Sequence, residues 1–149
     1  MKVVATNRKA LHNYHVLDTY EAGIVLQGSE VKSLRQGAVS LSDAYGELRN
    51  GEIYLLNLHI SPYRFTSHPR SNPKRSRKLL LKKSEIRKLY GFAQLRGNTL
   101  IPLKIYFNKH GFAKLAIGVC RRKRLYDKKE KILQREAERK VSKIKKTMR

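Results

Sequence analysis

Asn50-Gly51, at the centre of Leu48-Arg49-Asn50-Gly51-Glu52-Ile53-Tyr54, is the strongest hairpin signal in the chain. Both central residues of a type I′ turn need a positive φ angle, which asparagine and glycine adopt readily. Strands are therefore predicted on both sides of this turn, from Leu41 to Arg49 and from Glu52 to Ile60. Alternation along the second strand gives one fully apolar face, which we assign to the core: Tyr54, Leu56, Leu58 and Ile60.

Further strand-like runs lie on either side of the hairpin. One runs from Tyr14 to Glu21 and continues, after a bend permitted by Gly23, to Leu26. Residues 98–108 alternate, and residues 112–118 pair back on them as a second hairpin. Residues 1–13 are short, basic and polar, which fits either a solvated arm or a phosphate-contacting patch.

Two short helices are predicted between the strands. Residues 29–37 form one, with Gly28 or Ser29 as N-cap and Gly37 just past its end. Ser84 begins the other, which continues to Tyr90 and stops at Gly91. Its predicted buried stripe is Ile86, Leu89 and Tyr90. The chain is therefore predicted to be mainly β, with several antiparallel strands and short helices, as in a small closed barrel of oligonucleotide-binding type.

The net charge of the chain is +23, from 34 Lys and Arg against 11 Asp and Glu. Self-repulsion of this size destabilises a compact state, so it points to a polyanionic partner. RNA is the first candidate, and an anionic membrane surface is the alternative. There is no apolar run of about 18 residues that would span a bilayer, and the first residues lack the apolar segment of a signal peptide.

The last 29 residues differ in composition from those before them. Residues 121–149 carry 14 Lys and Arg against 4 Asp and Glu, with Tyr126 as their one aromatic residue. We predict an RNA-binding domain at 1–120 and a basic tail at 121–149 that is disordered in the free protein and helical on its partner. A thin apolar stripe supports that helix: Leu133, Ala137, Val141, Ile144 and Met148.

A second basic segment lies at 64–88, where 10 Lys and Arg accompany only Glu85, beside Tyr63 and Phe65. Cations interleaved with aromatic rings suit phosphate contact combined with base stacking. The alternative is a solvated loop whose aromatic residues cover the core.

Features of catalysis and of metal or cofactor binding are not visible in the sequence. The five histidines show no metal-ligand spacing, and the single Cys120 excludes an internal disulfide and fits a reducing cytosol. Gly-rich phosphate loops and nucleophile elbows are missing. A nuclease pair of Glu30 and Asp43 is a minor alternative. The sequence favours binding over catalysis, and no cofactor is expected.

The chain resembles the small protein B family, which binds transfer-messenger RNA in bacterial trans-translation. Six motifs, in order along nearly the whole length, carry this resemblance: Asn7-Arg8-Lys9-Ala10, Tyr20–Leu26, Gly28–Arg35, Asn57–Tyr63, Arg77–Leu81 and Tyr126-Asp127-Lys128-Lys129. Arg122 stands where the family's tail motif has glycine, and Lys129 stands where it has arginine. Lysine keeps the charge but lacks the planar fork of the guanidinium group.

The resemblance implies an oligonucleotide-binding-like barrel that binds the tRNA-like part of transfer-messenger RNA (SsrA) and delivers it to stalled ribosomes for rescue and peptide tagging. The implied protein is a cytoplasmic monomer whose tail enters the mRNA channel near the decoding-centre rRNA. The RNA-contacting residues carried over are Asn7, Tyr20, Glu30, Lys32, Leu80 and Lys82. The ribosome-binding tail residues are Lys123, Arg124, Tyr126, Asp127, Lys128 and Lys129.

Two expectations separate this hypothesis from others. A ribosomal or other RNA-binding protein that acts as structural glue would share the composition but lack the motifs around Glu30 and Tyr126. Glu30 would accept bonds from base amino groups or orient neighbouring cations, so we expect Glu30→Ala to weaken RNA binding and leave the fold intact.

Overall fold

A computed structural model describes residues 1–63 and 72–123. Within these residues the helices are α1 (Arg8–Asn13), α2 (Gly28–Arg35) and α3 (Lys83–Ala93). The strands are β1 (Lys2–Thr6), β2 (Tyr14–Ile24), β3 (Val39–Ser40), β4 (Tyr45–Arg49), β5 (Glu52–Leu56), β6 (His59–Ile60), β7 (Arg77–Leu80), β8 (Asn98–Phe107) and β9 (Ala113–Arg122). The prediction that the chain is mainly β is confirmed.

The large sheet is a ring of antiparallel strands. Its order is β1-β8-β4-β5-β7-β2-β9, and β9 pairs again with β8. Six strands therefore follow one another around the ring. Strand β1 pairs with the C-terminal part of β8, from Lys2↔Phe107 to Thr6↔Lys104. Strands β3 and β6 form a separate two-stranded sheet. Two long ladders flank β9: one joins it to β2, from Tyr14↔Arg122 to Gly23↔Lys114, and the other joins it to β8, from Asn98↔Arg121 to Phe107↔Ala113.

The interior of the ring holds the main hydrophobic core. Its fully buried side chains include Leu34 of α2, Leu89 of α3, and the strand residues Ile53, Leu55, Leu79, Ile105, Leu115, Ile117 and Val119. Each such side chain contributes about 1.5–3 kcal/mol by its removal from water. A smaller cluster of Ala10, Ile101, Leu103, Ala116 and Cys120 lies apart from it. Burial raises the pKa of the Cys120 thiol to about 11.

The hairpin at Asn50-Gly51 is confirmed, because these residues have φ angles of 49° and 76° and β4 pairs with β5 across them. The predicted core face of the second strand is wrong over β5, where Ile53 and Leu55 are fully buried. Asn57 has a φ of 58°, ends the strand and reverses the alternation. The assignment of Leu58 and Ile60 to the core is therefore confirmed, although they lie beyond β5.

Several element boundaries differ from the prediction. Residues 1–13 form β1 and α1 rather than an arm, and β4 starts at Tyr45 because the preceding residues form a turn. Gln27 caps α2: the backbone N–H of Gln27 donates to the Glu30 carboxylate, and the backbone N–H of Glu30 donates to the Gln27 carbonyl at 3.0 Å. Lys82 caps α3, which continues through Gly91 to Ala93 and leaves Tyr90 exposed. Strand β9 extends to Arg122, two residues beyond the predicted domain boundary.

Within residues 1–63 and 72–123, no helix has the length and apolar character needed to cross a membrane.

Candidate nucleic-acid interface

A buried ionic cluster lies where α2 meets the start of β7. Glu30 is 6% exposed, and Arg77 is fully buried. Arg77 donates from Nε to Oε2 of Glu30 at 2.6 Å, and Arg75 donates from Nε to Oε1 at 3.1 Å. The backbone N–H of Gln27 donates to Oε1 at 2.8 Å. The carboxylate is thus held by two guanidinium groups and the cap of its own helix.

All five N–H groups of Arg77 have partners within this cluster. Besides its two contacts with Glu30, Arg77 donates to the carbonyl oxygens of Leu58 at 2.6 Å, Arg75 at 3.3 Å and Pro73 at 3.0 Å. These carbonyls lie on both sides of residues 64–71. Arg77 therefore joins the residue that precedes β6 to the segment that leads into β7.

The pKa values of the cluster follow from burial and pairing. Burial alone would raise the pKa of Glu30, but hydrogen bonds from Arg75, the Gln27 backbone and Arg77 outweigh it and lower that pKa. Burial lowers the pKa of Arg77, and Glu30 opposes this. Glu30 therefore stays ionised at neutral pH and acts as a fixed counter-charge for two arginines.

This arrangement sharpens the expectation for Glu30. Both carboxylate oxygens already accept hydrogen bonds from arginines, so Glu30 is placed to orient cations rather than to meet a base directly. Removing it would leave a fully buried, uncompensated Arg77, which is strongly destabilising. We therefore expect Glu30→Ala to affect stability as well as RNA binding, contrary to the expectation from sequence.

Lys32 lies on the exposed surface of the same helix. Its Nζ is 5.5 Å from the centroid of the Tyr63 ring, within range of a cation–π interaction. This contact places a cation next to an aromatic ring close to the ionic cluster, although Lys32 lies outside the basic segment at 64–88 for which this combination was predicted. Phe65, the other aromatic residue of that prediction, lies outside the described residues.

Tyr20, Leu80 and Lys82 lie around the junction of β2, β7 and α3. Burial raises the pKa of Tyr20, as do a hydrogen bond to Asp18 and the negative charges of Asp18 and Glu85. Glu85 also accepts a hydrogen bond from the backbone N–H of Lys82 at 3.0 Å. Tyr20 is thus half-buried near the beginning of α3, while Lys82 is exposed.

Leu80 presents an apolar side chain that is 53% exposed. It pairs with Gly23 across the β2–β7 ladder. A Cβ atom at residue 23 would lie 3.2 Å from Leu80 Cβ, so glycine there allows the close approach. Arg75 connects this end of β2 to the ionic cluster, because its Nη2 donates to the carbonyl of Val25, the residue after the strand. Five of the six predicted RNA-contacting residues therefore lie around this end of β2.

Asn7, the sixth, lies near the other end of β2 and is 3% exposed. Its Nδ2 donates to the carbonyls of Pro102 at 2.9 Å and Leu41 at 3.2 Å. Its Oδ1 accepts from the Ala10 N–H at 3.1 Å and caps α1. Asn7 also lines a surface groove of about 490 Å³ that includes Arg122.

Lys123 is the one predicted ribosome-binding residue of the tail that the structure describes. Its backbone N–H donates to the carbonyl of Asn13 at 2.8 Å, and its Nζ donates to that of Leu11 at 3.5 Å. The start of the tail is thereby attached to α1. Arg124, Tyr126, Asp127, Lys128 and Lys129 lie outside the described residues.

The two candidate ends are well separated along the strand. Nine residue steps lead from Tyr14, opposite Arg122, to Gly23, opposite Leu80. At about 3.3 Å per residue, this is about 30 Å. Contacts at the two ends would therefore be made by separate parts of an RNA.

The structure does not bring Glu30 and Asp43 into a nuclease site. Glu30 is paired with arginines, whereas Asp43 has an exposed side chain 3.8 Å from Lys9 Nζ. In the part of the chain that the structure describes, no three His, Cys, Asp or Glu side chains cluster as metal ligands.

The sequence did not predict the roles of Arg75 and Arg77. Both belong to the basic segment expected to contact phosphate, yet they neutralise Glu30. The available signal was the position of Arg77 at the beginning of the apolar run Leu79-Leu80-Leu81. A cation that starts a buried strand needs a buried anion.

Comparisons with known proteins agree with one another. The sequence model of the family described as "SmpB protein" matches residues 4–147. An "SsrA-binding protein" of Pseudothermotoga lettingae is 54% identical over 141 residues, covering 95% of each chain. One from Bacillus cytotoxicus is 50% identical over 95% of this chain and 90% of its own. A solved chain described under "tmRNA-SmpB: a journey to the center of the bacterial ribosome" is 48% identical, with a TM-score of 0.70, and covers 89% of this chain and 95% of its own.

Proposed function

This chain belongs to the SmpB protein family, and from that membership we propose that it is an SsrA-binding protein. It binds the tRNA-like domain of transfer-messenger RNA and delivers that RNA to stalled ribosomes for trans-translation. Relatives of about half identity that span 95% of the chain carry this proposal. The charge of +23 supports it, because both partners are polyanions.

The RNA face that we propose surrounds the Gly23 end of β2. Tyr20, Lys32, Leu80 and Lys82 supply an aromatic ring, cations and an apolar surface, while Glu30 positions Arg75 and Arg77 beneath them. Exposed cations contact phosphates, and the apolar and aromatic side chains pack on bases or sugars. Asn7 supports the fold around α1 and is the least accessible of the proposed residues.

We also propose that the ring of strands is a closed barrel of oligonucleotide-binding type. The return of the pairing from β9 to β8 supports closure, since it leaves six strands with a neighbour on each side. The basic tail, 121–149, acts on the ribosome, where it becomes helical in the mRNA channel near the decoding-centre rRNA. Lys123, Arg124, Tyr126, Asp127, Lys128 and Lys129 are its proposed contacts.

The protein acts by binding rather than by catalysis. It works as a monomer in the cytoplasm, where translating ribosomes are found, and it needs no cofactor for this role.

A capture experiment tests the proposal. The full chain, tagged at its N-terminus, is used to recover RNA from bacterial lysate, and the RNA is sequenced. We expect enrichment of one structured RNA that ends in a tRNA-like acceptor. A Lys32→Ala, Lys82→Ala double variant should lose that enrichment, whereas a Lys109→Ala, Lys114→Ala control of equal charge should keep most of it. Recovery of ribosomal RNA alone would instead favour a structural ribosomal protein.

A further inference from the structure

A second groove lies between the β4–β5 hairpin and α3. Its volume is about 430 Å³, within the range of about 300–1,000 Å³ that is usual for small-ligand sites. Among the described residues, none of the six proposed for transfer-messenger RNA lines it. It therefore needs an explanation of its own.

The floor and wall of this groove are apolar and fixed. Leu48 and Ile86 are partly buried and pack against the main core. Tyr90, one helical turn after Ile86, forms a wall of the groove. Its large ring is 54% exposed to solvent. The opposite wall is the rigid turn at Asn50-Gly51, whose two positive φ angles define its shape.

The charge around the groove is mainly positive. Lys83 and Arg87 of α3 line it and are exposed. Within residues 1–63 and 72–123, neither forms an ion pair. Glu52 is the one acidic residue of the lining, and its carboxylate already lies 3.7 Å from Lys78 Nζ. An occupant with negative charge near α3 is therefore favoured over a neutral or cationic one.

We propose that this groove binds one unstacked nucleotide of a single-stranded RNA. The base stacks on Tyr90 over the apolar floor, and Lys83 and Arg87 contact the flanking phosphates. Stacking on an aromatic side chain tolerates every base, because each has a π-face. Glu52 lies at the rim as an acceptor for a base amino group, which favours adenine, cytosine or guanine over uracil.

The charge of the groove favours RNA over the chain's own tail as the occupant. Residues 124–149 carry 11 Lys and Arg against 4 Asp and Glu, a net charge of +7. A cationic segment would be repelled by Lys83 and Arg87, whereas a phosphodiester would be attracted. The apolar stripe of the tail is therefore the weaker match for this groove.

The test uses the full chain and hexaadenylate as the probe, followed by amide NMR and by binding isotherms. We expect shifts to concentrate in residues 48–52 and 83–90. Tyr90→Ala should weaken binding about 5- to 150-fold, the effect of removing one stacked base. Tyr90→Phe should retain the affinity because it keeps the ring. Phe112→Ala is the matched control, since Phe112 is 66% exposed in the β8–β9 turn, and it should change the affinity less than twofold.

Each other outcome is decisive. Unchanged affinity in Tyr90→Ala, or shifts confined to other surfaces, overturns the proposal. If the spectrum of Tyr90→Ala shows misfolding, Arg87→Gln replaces it and should weaken binding and reduce the salt dependence by about one counterion. Equal binding of a polyglutamate peptide, lost in the same variants, would assign the groove to an acidic protein segment. Gel shifts with a tRNA-like RNA separate this proposal from the proposed function, because that RNA should bind Tyr90→Ala normally.

Discussion

Two buried polar groups hold the two ends of β2 in different ways. Near Tyr14, the neutral amide of Asn7 joins α1, the Leu41 turn and β8 through three hydrogen bonds. Near Ile24, the charged carboxylate of Glu30 joins α2 to Arg75 and Arg77, 45 and 47 residues later. Both tie together segments that are distant in sequence, but only Glu30 adds a fixed charge. That end consequently holds two guanidinium groups in fixed positions, and its stability depends on pH through the lowered pKa of Glu30.

The largest expected effect comes from removing the charge of the ionic end. Glu30→Ala should lower the free energy of unfolding by about 3–5 kcal/mol, because Arg77 would stay buried without its counter-charge. Urea denaturation measures this. Glu47→Ala is the control, since Glu47 pairs with Arg49 at 3.3 Å on the exposed surface and should cost less than about 1 kcal/mol. A Glu30→Ala protein of normal stability would mean that Arg77 finds other partners.

A smaller loss is expected at the neutral end. Asn7→Ala removes two donors and a helix cap, and should lower the free energy of unfolding by about 1–3 kcal/mol. Asn7→Ser should recover about 1 kcal/mol of this, because serine also caps a helix. Thermal unfolding of the parent chain and of the two variants separates the contribution of the helix cap from that of the bonds that the Asn7 amide donates. Equal melting of Ala and Ser variants would assign the loss to the donated bonds alone.

The pH dependence should separate the two ends. The pKa of Glu30 is lowered in the folded state from its ordinary value of 4.5. Its stabilising contribution is therefore complete above about pH 4.5 and is lost as pH falls through the lower, folded value. Glu30→Gln should flatten the stability curve below pH 4.5, while Asn7→Ala should shift the curve without changing its slope. Denaturant midpoints across this range provide the measurement, and identical slopes in Glu30→Gln and the parent chain would contradict it.

The smallest effect on stability should come from removing the tail. A chain that ends after Lys123 keeps the whole of β9 and the bond to Asn13. We expect its free energy of unfolding to change by less than about 0.5 kcal/mol and its affinity for tRNA-like RNA to remain.

Peptide tagging in a reconstituted translation system should nevertheless fail with that truncated chain. Joint replacement of Tyr126, Asp127, Lys128 and Lys129 by alanine should give much of the same defect. Full tagging by the truncated chain would eliminate the proposed role of the tail.

Local patterns predicted the elements whose signals are local. The Asn50-Gly51 turn, β2, α2 and the β8–β9 hairpin are all visible in short windows of sequence. The core face of β5 was wrong because one residue, Asn57, adopts a positive φ angle and reverses the alternation. β1 was missed because five residues show no clear period, and the strand is fixed by β8, about 100 residues later.

The candidate site shows the same limit. Glu30, Lys32, Leu80 and Lys82 were named from motifs, and the structure places them around one end of β2. The pairing of Glu30 with Arg75 and Arg77 was not predictable from one sequence, because no periodicity links residues 45 positions apart. Burial of an arginine depends on tertiary contacts that local propensity does not record.

The register of β2 against β9 also constrains how the chain folds during synthesis. Tyr14 pairs with Arg122, so the β2–β9 ladder cannot be complete until β9 has been synthesised. Residues 25–112 separate the two strands, and synthesis at about 5–20 residues per second delays pairing by about 4–18 s. During that interval one edge of β2 has no partner, which is a hazard for aggregation. Asp18 and Glu21 interrupt the apolar character of this strand with charge, and charged side chains discourage pairing at an exposed strand edge.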